Sequence, residues 1–355
     1  MPTTDLPPKT QLPVEHTPQW IREDFAYPLT DPPDPRWIRH EVMPGERLNG
    51  IAERYGVTRK NMIKWNRLHR KRPRLRAGQR LKVRAERFGP PRIHARYRVR
   101  RRDTWRTIAA AFGLTRAQLK RANRRGVMSP GTFLHVWADS AIPNYGNATA
   151  TLPDLDFEVP EGGVSIGRPY RGRLQNGIQL PDSDLYTRRI PAHTYGTTRT
   201  IQLIQHGIAV FRHDTGFEGE ILIGGISRAG GGKFPPHRSH RTGRDVDINL
   251  PAFPGFAKGT RARGGQVDWG ATWALISAYL HTDQIKYVFL SYKLQKKLHA
   301  AAKLMGTPDD DLKYLIQWPR GPRSRHGVIR HSRGHIGHFH VRFLCGPNDR
   351  RCVDP

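Results

Sequence analysis

The sequence predicts an α+β protein: two small βααβ domains, then a larger domain built on a central antiparallel sheet. Three observations carry this. A segment of strand–helix–helix–strand character occurs twice between positions 36 and 138. From 161 onward, apolar residues switch between helical spacing and short strand-like runs. Stretches rich in proline, glycine and polar residues bound these regions. They divide the chain into an arm over 1–35, domains over 36–86 and 94–138, a linker over 139–160 and a domain over 161–355. At 355 residues and 37% hydrophobic content the chain can bury at least one full core.

The arm carries Pro7, Pro8, Pro13, Pro18, Pro28, Pro32, Pro33 and Pro35, a composition that favours extended backbone. The repeat that follows has a legible register. Val42, Ile51, Ala52, Tyr55, Gly56, Thr58 and Asn66 correspond, at an offset of 57, to Val99, Ile108, Ala109, Phe112, Gly113, Thr115 and Asn123. After a four-residue deletion, Gly78, Leu81 and Val83 correspond to Gly131, Leu134 and Val136. Each copy reads as a strand (39–42; 96–99) and then a helix with apolar positions three or four apart, such as Leu48, Ile51, Ala52 and Tyr55. Gly56 and Gly113 fit the left-handed position after that helix, and Thr58 and Thr115 can cap the next. A second helix ends at the asparagine, and a strand opened by glycine closes the unit.

This pattern resembles the LysM module, which implies binding to the N-acetylglucosamine backbone of peptidoglycan and chitin. The first copy has the Pro44-Gly45-Glu46-Arg47-Leu48 turn that such modules usually carry; the second departs from it with Arg101-Arg102-Asp103-Thr104-Trp105. In the last domain, 198–210, 267–281 and 292–304 fit helices, and 220–224, 286–291 and 338–344 fit strands.

Composition narrows the function. The formal net charge is +30, concentrated in the repeats: thirteen Lys/Arg against one acid over 59–87, and twelve against one over 92–125. Such a field favours polyanions, among them the polymers of a bacterial envelope. No array of stacking aromatics or reading helix supports specific nucleic-acid binding, which is not expected. No run of eighteen apolar residues exists to span a membrane. Cys345 and Cys352, the two cysteines, suit a disulfide formed in an oxidising compartment. The first residues, Met1-Pro-Thr-Thr-Asp-Leu-Pro-Pro, have neither the charged nor the apolar region of a signal peptide.

Two histidine segments carry the chemistry: His237-Arg-Ser-His240-Arg-Thr-Gly243-Arg-Asp245-Val-Asp247 and Gly334-His335-Ile-Gly-His338-Phe-His340-Val-Arg342. In an extended segment Val246 and Ile248 face one side, while Asp245, Asp247 and Asn249 face the other. Likewise His338 and His340 share a face, roughly 6–7 Å apart along the backbone, and Phe339 and Val341 turn to the core. Gly243 permits a tight turn that returns His240 to the cleft faced by Asp247. Two histidines and one carboxylate are a recurrent catalytic zinc set, so His240, Asp247 and His340 are the expected ligands of one zinc ion. No HExxH helix supplies a glutamate base; His338 or His335 then serves as base or steadies the oxyanion. Asp245 is expected to orient a ligand imidazole or the loop, and His237 to orient substrate or add a ligand. His206, His213, His281, His299, His326 and His331 are read as structural.

Together these segments resemble the penicillin-insensitive murein endopeptidases, within the wider LAS-type group of lysostaphin-like and D-alanyl-D-alanine metallopeptidases. The resemblance spans about 165–352, including Ser165-Ile166-Gly167, Gly230-Gly231-Gly232-Lys233-Phe234 and the terminal Cys-x6-Cys. It implies an LAS-type metallopeptidase fold, zinc ligands at His240, Asp247 and His340, and active-site histidines at His237, His335 and His338. The Asp and His pair that holds a second metal in some members has no match between 250 and 272. The implied activity is hydrolysis of D-alanyl–meso-diaminopimelyl cross-links of peptidoglycan, in the periplasm or cell wall, with the LysM-like modules holding glycan strands. Trimming of terminal D-alanine by the same fold, a non-catalytic peptidoglycan-binding protein, and nucleic-acid binding by the basic repeats are the alternatives.

Overall fold

The computed structural model describes residues 35–86, 92–140, 157–253, 266–305 and 307–354. The arm, apart from Pro35, and the body of the 139–160 linker lie outside the described residues.

Both repeats form the expected βααβ unit. In the first, β1 (Arg36–Glu41) pairs antiparallel with β2 (Arg80–Ala85), enclosing α1 (Leu48–Arg54) and α2 (Arg59–Asn66). In the second, β3 (Arg92–Arg98) pairs with β4 (Phe133–Asp139) around α3 (Trp105–Ala111) and α4 (Arg116–Ala122). Gly56 and Gly113 have φ +67° and +61°, the left-handed conformation that lets each first helix stop. Thr58 and Thr115 accept the N–H of Asn61 and Gln118, capping the second helices. Each repeat buries its own small core, centred on Ile51, Met62 and Leu81 in the first and on Ile108, Leu119 and Leu134 in the second. Asn66 and Asn123 tie helix to closing strand in the same way. Each amide donates to the helical carbonyl four residues back and exchanges hydrogen bonds with the strand, at Lys82 or His135.

The C-terminal domain is organised by a six-stranded sheet. Its strands are β8 (Thr187–Arg188), β10 (Leu222–Ile223), β11 (Asp245–Asn249), β12 (Ile285–Phe289), β13 (Ile329–Arg330) and β14 (His338–Phe343), in the order β13-β12-β14-β11-β10-β8. The four central strands are antiparallel, as expected; the two outer pairs, β8/β10 and β12/β13, are parallel. Pairs β5 (Val164–Ile166) with β6 (Arg173–Gln175) and β7 (Ile178–Gln179) with β9 (Tyr195–Gly196) stand outside this sheet.

One sheet face is apolar. Val246, Ile248, Phe339, Val341 and Val288 turn toward α5 (Thr198–Thr215), α6 (Trp269–Leu280) and α7 (Tyr292–Leu304), forming one core with Ile204, Trp273, Tyr279 and Leu298. Helix α6 is buried along its whole length and packs between α5 and α7. Gly207 of α5 makes this possible: a Cβ there would meet the Tyr279 ring at 2.5 Å. A further helix, α8 (Asp309–Leu315), follows α7.

Val353 and Asp354 brace the start of β11 through Arg244. Arg244, fully buried, donates to Ser165 Oγ, to the carbonyls of Phe343 and Val353, and to Asp354. Cys345 and Cys352 are disulfide-bonded and close the loop that delivers this tail.

Candidate active site

The opposite face of the same sheet holds the site. In the β11/β14 register Asp245 stands opposite Arg342, Asp247 opposite His340 and Asn249 opposite His338, so period-two alternation gathers these side chains together. The residues before β11 cover them. His240 is at φ +64°, a left-handed conformation costly for a side chain with a Cβ, and Gly243 follows at φ +71°. The strained turn folds His240 over Asp247. Gly243 cannot be larger, since a Cβ would lie 2.8 Å from Leu174 Cδ1 and 3.0 Å from Gly196 Cα.

Three atoms define the centre. His240 Nε2 lies 3.2 Å from His340 Nδ1 and 3.3 Å from Asp247 Oδ1, and His340 Nδ1 lies 3.2 Å from Asp247 Oδ1. All three residues are buried, at 0%, 3% and 5% relative exposure. Hydrogen bonds elsewhere on each ring fix what faces inward. His240 donates from Nδ1 to the Ile226 carbonyl at 2.9 Å, and His340 donates from Nε2 to Asp245 Oδ1 at 2.7 Å. Both inward nitrogens therefore present lone pairs, and so does Asp247 Oδ1, which has no aligned hydrogen-bond donor. Three buried lone pairs at mutual contact repel one another unless a cation sits among them. A tetrahedral zinc site with bonds of about 2.0–2.1 Å has ligand–ligand edges of about 3.4 Å, close to the triangle here. The donor set fits a metal ion.

Asp245 organises this triangle without joining it. Its Oδ2 accepts the His240 backbone N–H at 3.1 Å, and its Oδ1 accepts from His340 Nε2 and Arg342 Nε, both at 2.7 Å. One carboxylate thus fixes both histidine segments. Burial alone would raise the pKa of both acids. Arg342 and then His340 hold Asp245 far below the carboxylate range, and His240 and His340 do so for Asp247. Burial likewise opposes charge on His340, but Asp245 and Asp247 outweigh it and push its pKa up to about 9. An imidazole held between two carboxylates, Nε2 on Asp245 and Nδ1 on Asp247, binds a cation well at Nδ1, whether proton or metal.

The remaining histidines ring the triangle. His338 Nε2 is 3.5 Å from Asp247 Oδ1, and His237 Nδ1 is 3.5 Å from Asp247 Oδ2. His237 stacks on Phe234 and contacts the His240 ring edge-on. His335 donates from Nδ1 to the Arg333 carbonyl and packs against the rings of His338 and His340. Donor atoms of His237, His240 and Asp247 lie within 4.8 Å of one another, as do those of Asp247, His335 and His340. Burial, reinforced by neighbouring imidazoles, lowers both His237 and His335 to about 4, so each is neutral near pH 7. Among the histidines read as structural, His331 accepts the Tyr292 N–H and His281 bonds the Ser277 carbonyl. Sequence reasoning did not foresee the Ile226 carbonyl, which as backbone leaves no residue-type signal, or the edge of Phe289 against His340.

Comparison with known families finds two matching profiles. The profile described as penicillin-insensitive murein endopeptidase matches residues 165–302, and that described as LysM domain matches 40–84 and 97–136. The C-terminal domain belongs to the penicillin-insensitive murein endopeptidase family. The two βααβ repeats are LysM domains. No curated protein matches the chain. Two solved structures align with part of it: the spore cortex-lytic enzymes SleL of Bacillus cereus (19% identity, TM-score 0.14) and of Bacillus megaterium QM B1551 (20% identity, TM-score 0.12). They cover 38% and 37% of this chain, which spans about a quarter of theirs, 26% and 25%. Among the described residues no helix is long and apolar enough to cross a membrane.

Proposed function

We propose that the chain is a zinc-dependent peptidoglycan endopeptidase that cuts D-alanyl–meso-diaminopimelyl cross-links while its LysM domains hold the wall. The carrying observation is the buried triangle of His240 Nε2, His340 Nδ1 and Asp247 Oδ1, with edges of 3.2–3.3 Å, inside a domain of the murein endopeptidase family.

These three atoms would hold the ion. Zinc bound there supplies a Lewis acid that polarises a scissile carbonyl and lowers the pKa of a water. Asp245 and the Ile226 carbonyl keep both imidazoles turned with their lone pairs inward. His335 donates its Nδ1–H to the Arg333 carbonyl, which leaves the Nε2 lone pair to accept a proton from the attacking water. The same nitrogen returns that proton to the departing amine. In this reading His338, whose Nε2 lies 3.5 Å from Asp247 Oδ1, steadies the oxyanion, and His237, stacked on Phe234, orients the stem peptide.

The Cys345–Cys352 disulfide supports action in an oxidising compartment, the periplasm or cell wall. Attachment through the LysM domains raises the local concentration of cross-links. The reading is tested by digesting purified cross-linked muropeptide dimers, with and without a chelator and with penicillin present, followed by mass spectrometry. Monomers that vanish with chelator, return with zinc and persist in penicillin are expected. Loss of a single alanine per stem would instead make the chain a carboxypeptidase, and unchanged dimers would refute peptidase activity.

A further inference from the structure

The two LysM domains differ in which of their equivalent turns is open. At the offset of 57, Glu46 corresponds to Asp103, Met43 to Arg100, and His40 to Tyr97. The hydrogen bonds correspond as well. Glu46 Oε2 accepts from Met43 N and His40 Nε2, at 2.7 and 2.9 Å; Asp103 Oδ2 accepts from Arg100 N and Tyr97 OH, at 2.7 and 2.8 Å. Gly45 at φ +82° is matched by Arg102 at φ +72°. The second domain therefore keeps the turn of the first while replacing Pro44-Gly45 by Arg101-Arg102.

The first turn is covered by the second domain. The Pro44 carbonyl accepts Trp137 Nε1–H at 2.8 Å, Glu46 pairs with Arg92, and Met43 packs on the second domain's core. A Cβ on Gly45 would lie 2.9 Å from the backbone nitrogen of Ala122. The second turn is open: Arg101 and Arg102 are exposed and, with Pro130, line a groove of about 620 Å³. Among the described residues neither arginine forms an ion pair. Asp103 and Asp139 are the acids of residues 92–140; Asp103 is engaged within the turn, and Asp139 by Arg54 and Arg92. Arginine in the left-handed conformation costs about 1 kcal/mol or more where glycine would cost nothing. That strain falls at a position whose side chain lines the groove and, among the described residues, pairs with no acid.

We propose that the Arg101–Arg102 groove of the second LysM domain is an anion-binding site for the free carboxylates of peptidoglycan stem peptides. Guanidinium pairs suit planar carboxylates and also phosphates, so the chemistry is shared with phosphate-bearing wall polymers. The stem peptide is favoured because the adjoining domain acts on it, and to that extent the inference rests on the proposed function.

The test is calorimetric binding by the full chain and by an Arg101→Ala/Arg102→Gly double variant. The glycine restores the residue type found at position 45, and unchanged thermal unfolding checks the fold. Probes are the uncross-linked disaccharide-peptide, the same compound with its carboxylates amidated, an N-acetylglucosamine oligomer, a phosphate-bearing wall polymer and duplex DNA. The variant is expected to bind the free-carboxylate probe about tenfold or more weakly and with a shallower salt dependence, leaving the amidated and neutral probes unaffected. Unchanged affinity, equal loss on the amidated probe, or tighter wild-type binding of the phosphate polymer or DNA would overturn it. Dimer hydrolysis by the unsubstituted chain is measured alongside. Absent hydrolysis would refute the proposed function, whereas hydrolysis with unaltered variant binding would refute this site alone.

Discussion

At the scale of single residues, chemistry in this domain depends on which nitrogen of each histidine faces inward. Asp245 decides this for His340 and also holds the His240 backbone, so Asp245→Asn should weaken zinc binding by about 10–100-fold with little change in fold. Competition with a chromophoric chelator measures it, and an unaltered affinity would remove Asp245 from that role. His338→Ala should keep zinc and lose turnover, since its Nε2 stands 3.5 Å from Asp247 Oδ1, outside the triangle. Metal loss in that variant would exchange the parts of His338 and His340. Much of this was legible in the sequence, because alternation along two strands already sorts Asp247 with Asp245 and His338 with His340. The positive φ of His240 was not: Gly243 announces a turn, but nothing in a histidine announces left-handed backbone.

At the scale of elements, the sheet carries the site by register and the helices keep the register rigid. Helices α5 and α6 approach where Gly207 meets the Tyr279 ring. Gly207→Val overpacks that contact and should cost about 1–3 kcal/mol, lowering the domain's Tm by several degrees. A calorimetric Tm equal to that of the parent would mean the ring yields freely. The helices expected over 198–210, 267–281 and 292–304 form, the first running on to Thr215 before Gly216 ends it. The strand expected over 220–224 shrinks to Leu222–Ile223, since a buried apolar run shows that a segment is covered but not how many ladder bonds it makes. Helix α8 went unread although Pro308 and three aspartates in its first turn form a start signal. Parallel pairing at the sheet's edges depends on crossovers that local pattern does not encode.

At the scale of the molecule, the repeats concentrate positive charge, and two of the acids among them, Glu46 and Asp139, join the two LysM domains. Glu46 receives Arg92 and His40, and Asp139 receives Arg54 and Arg92. Burial would raise the pKa of Glu46, but the His40 hydrogen bond, with His40, Met43 and Arg92 beside it, lowers it below its ordinary 4.5. A depressed carboxyl stabilises the fold fully above 4.5, and that contribution is lost as pH falls below it toward the folded value. Thermal unfolding followed from neutral pH into this acid range should therefore fall more steeply for the wild type than for Glu46→Gln. Coincident profiles would show that the joint does not depend on this charge. The domain order was readable from the repeat and the proline-rich boundaries, but the covering of one turn by the neighbouring domain was not, because no periodicity records contacts between units.

The account stands on one ion among three atoms, and anomalous scattering at the zinc edge from crystals of the intact chain tests it most directly. A single strong peak at about 2.0–2.2 Å from His240 Nε2, His340 Nδ1 and Asp247 Oδ1 is predicted. A peak bound elsewhere, or none from protein that still cleaves cross-linked dimers, would contradict it.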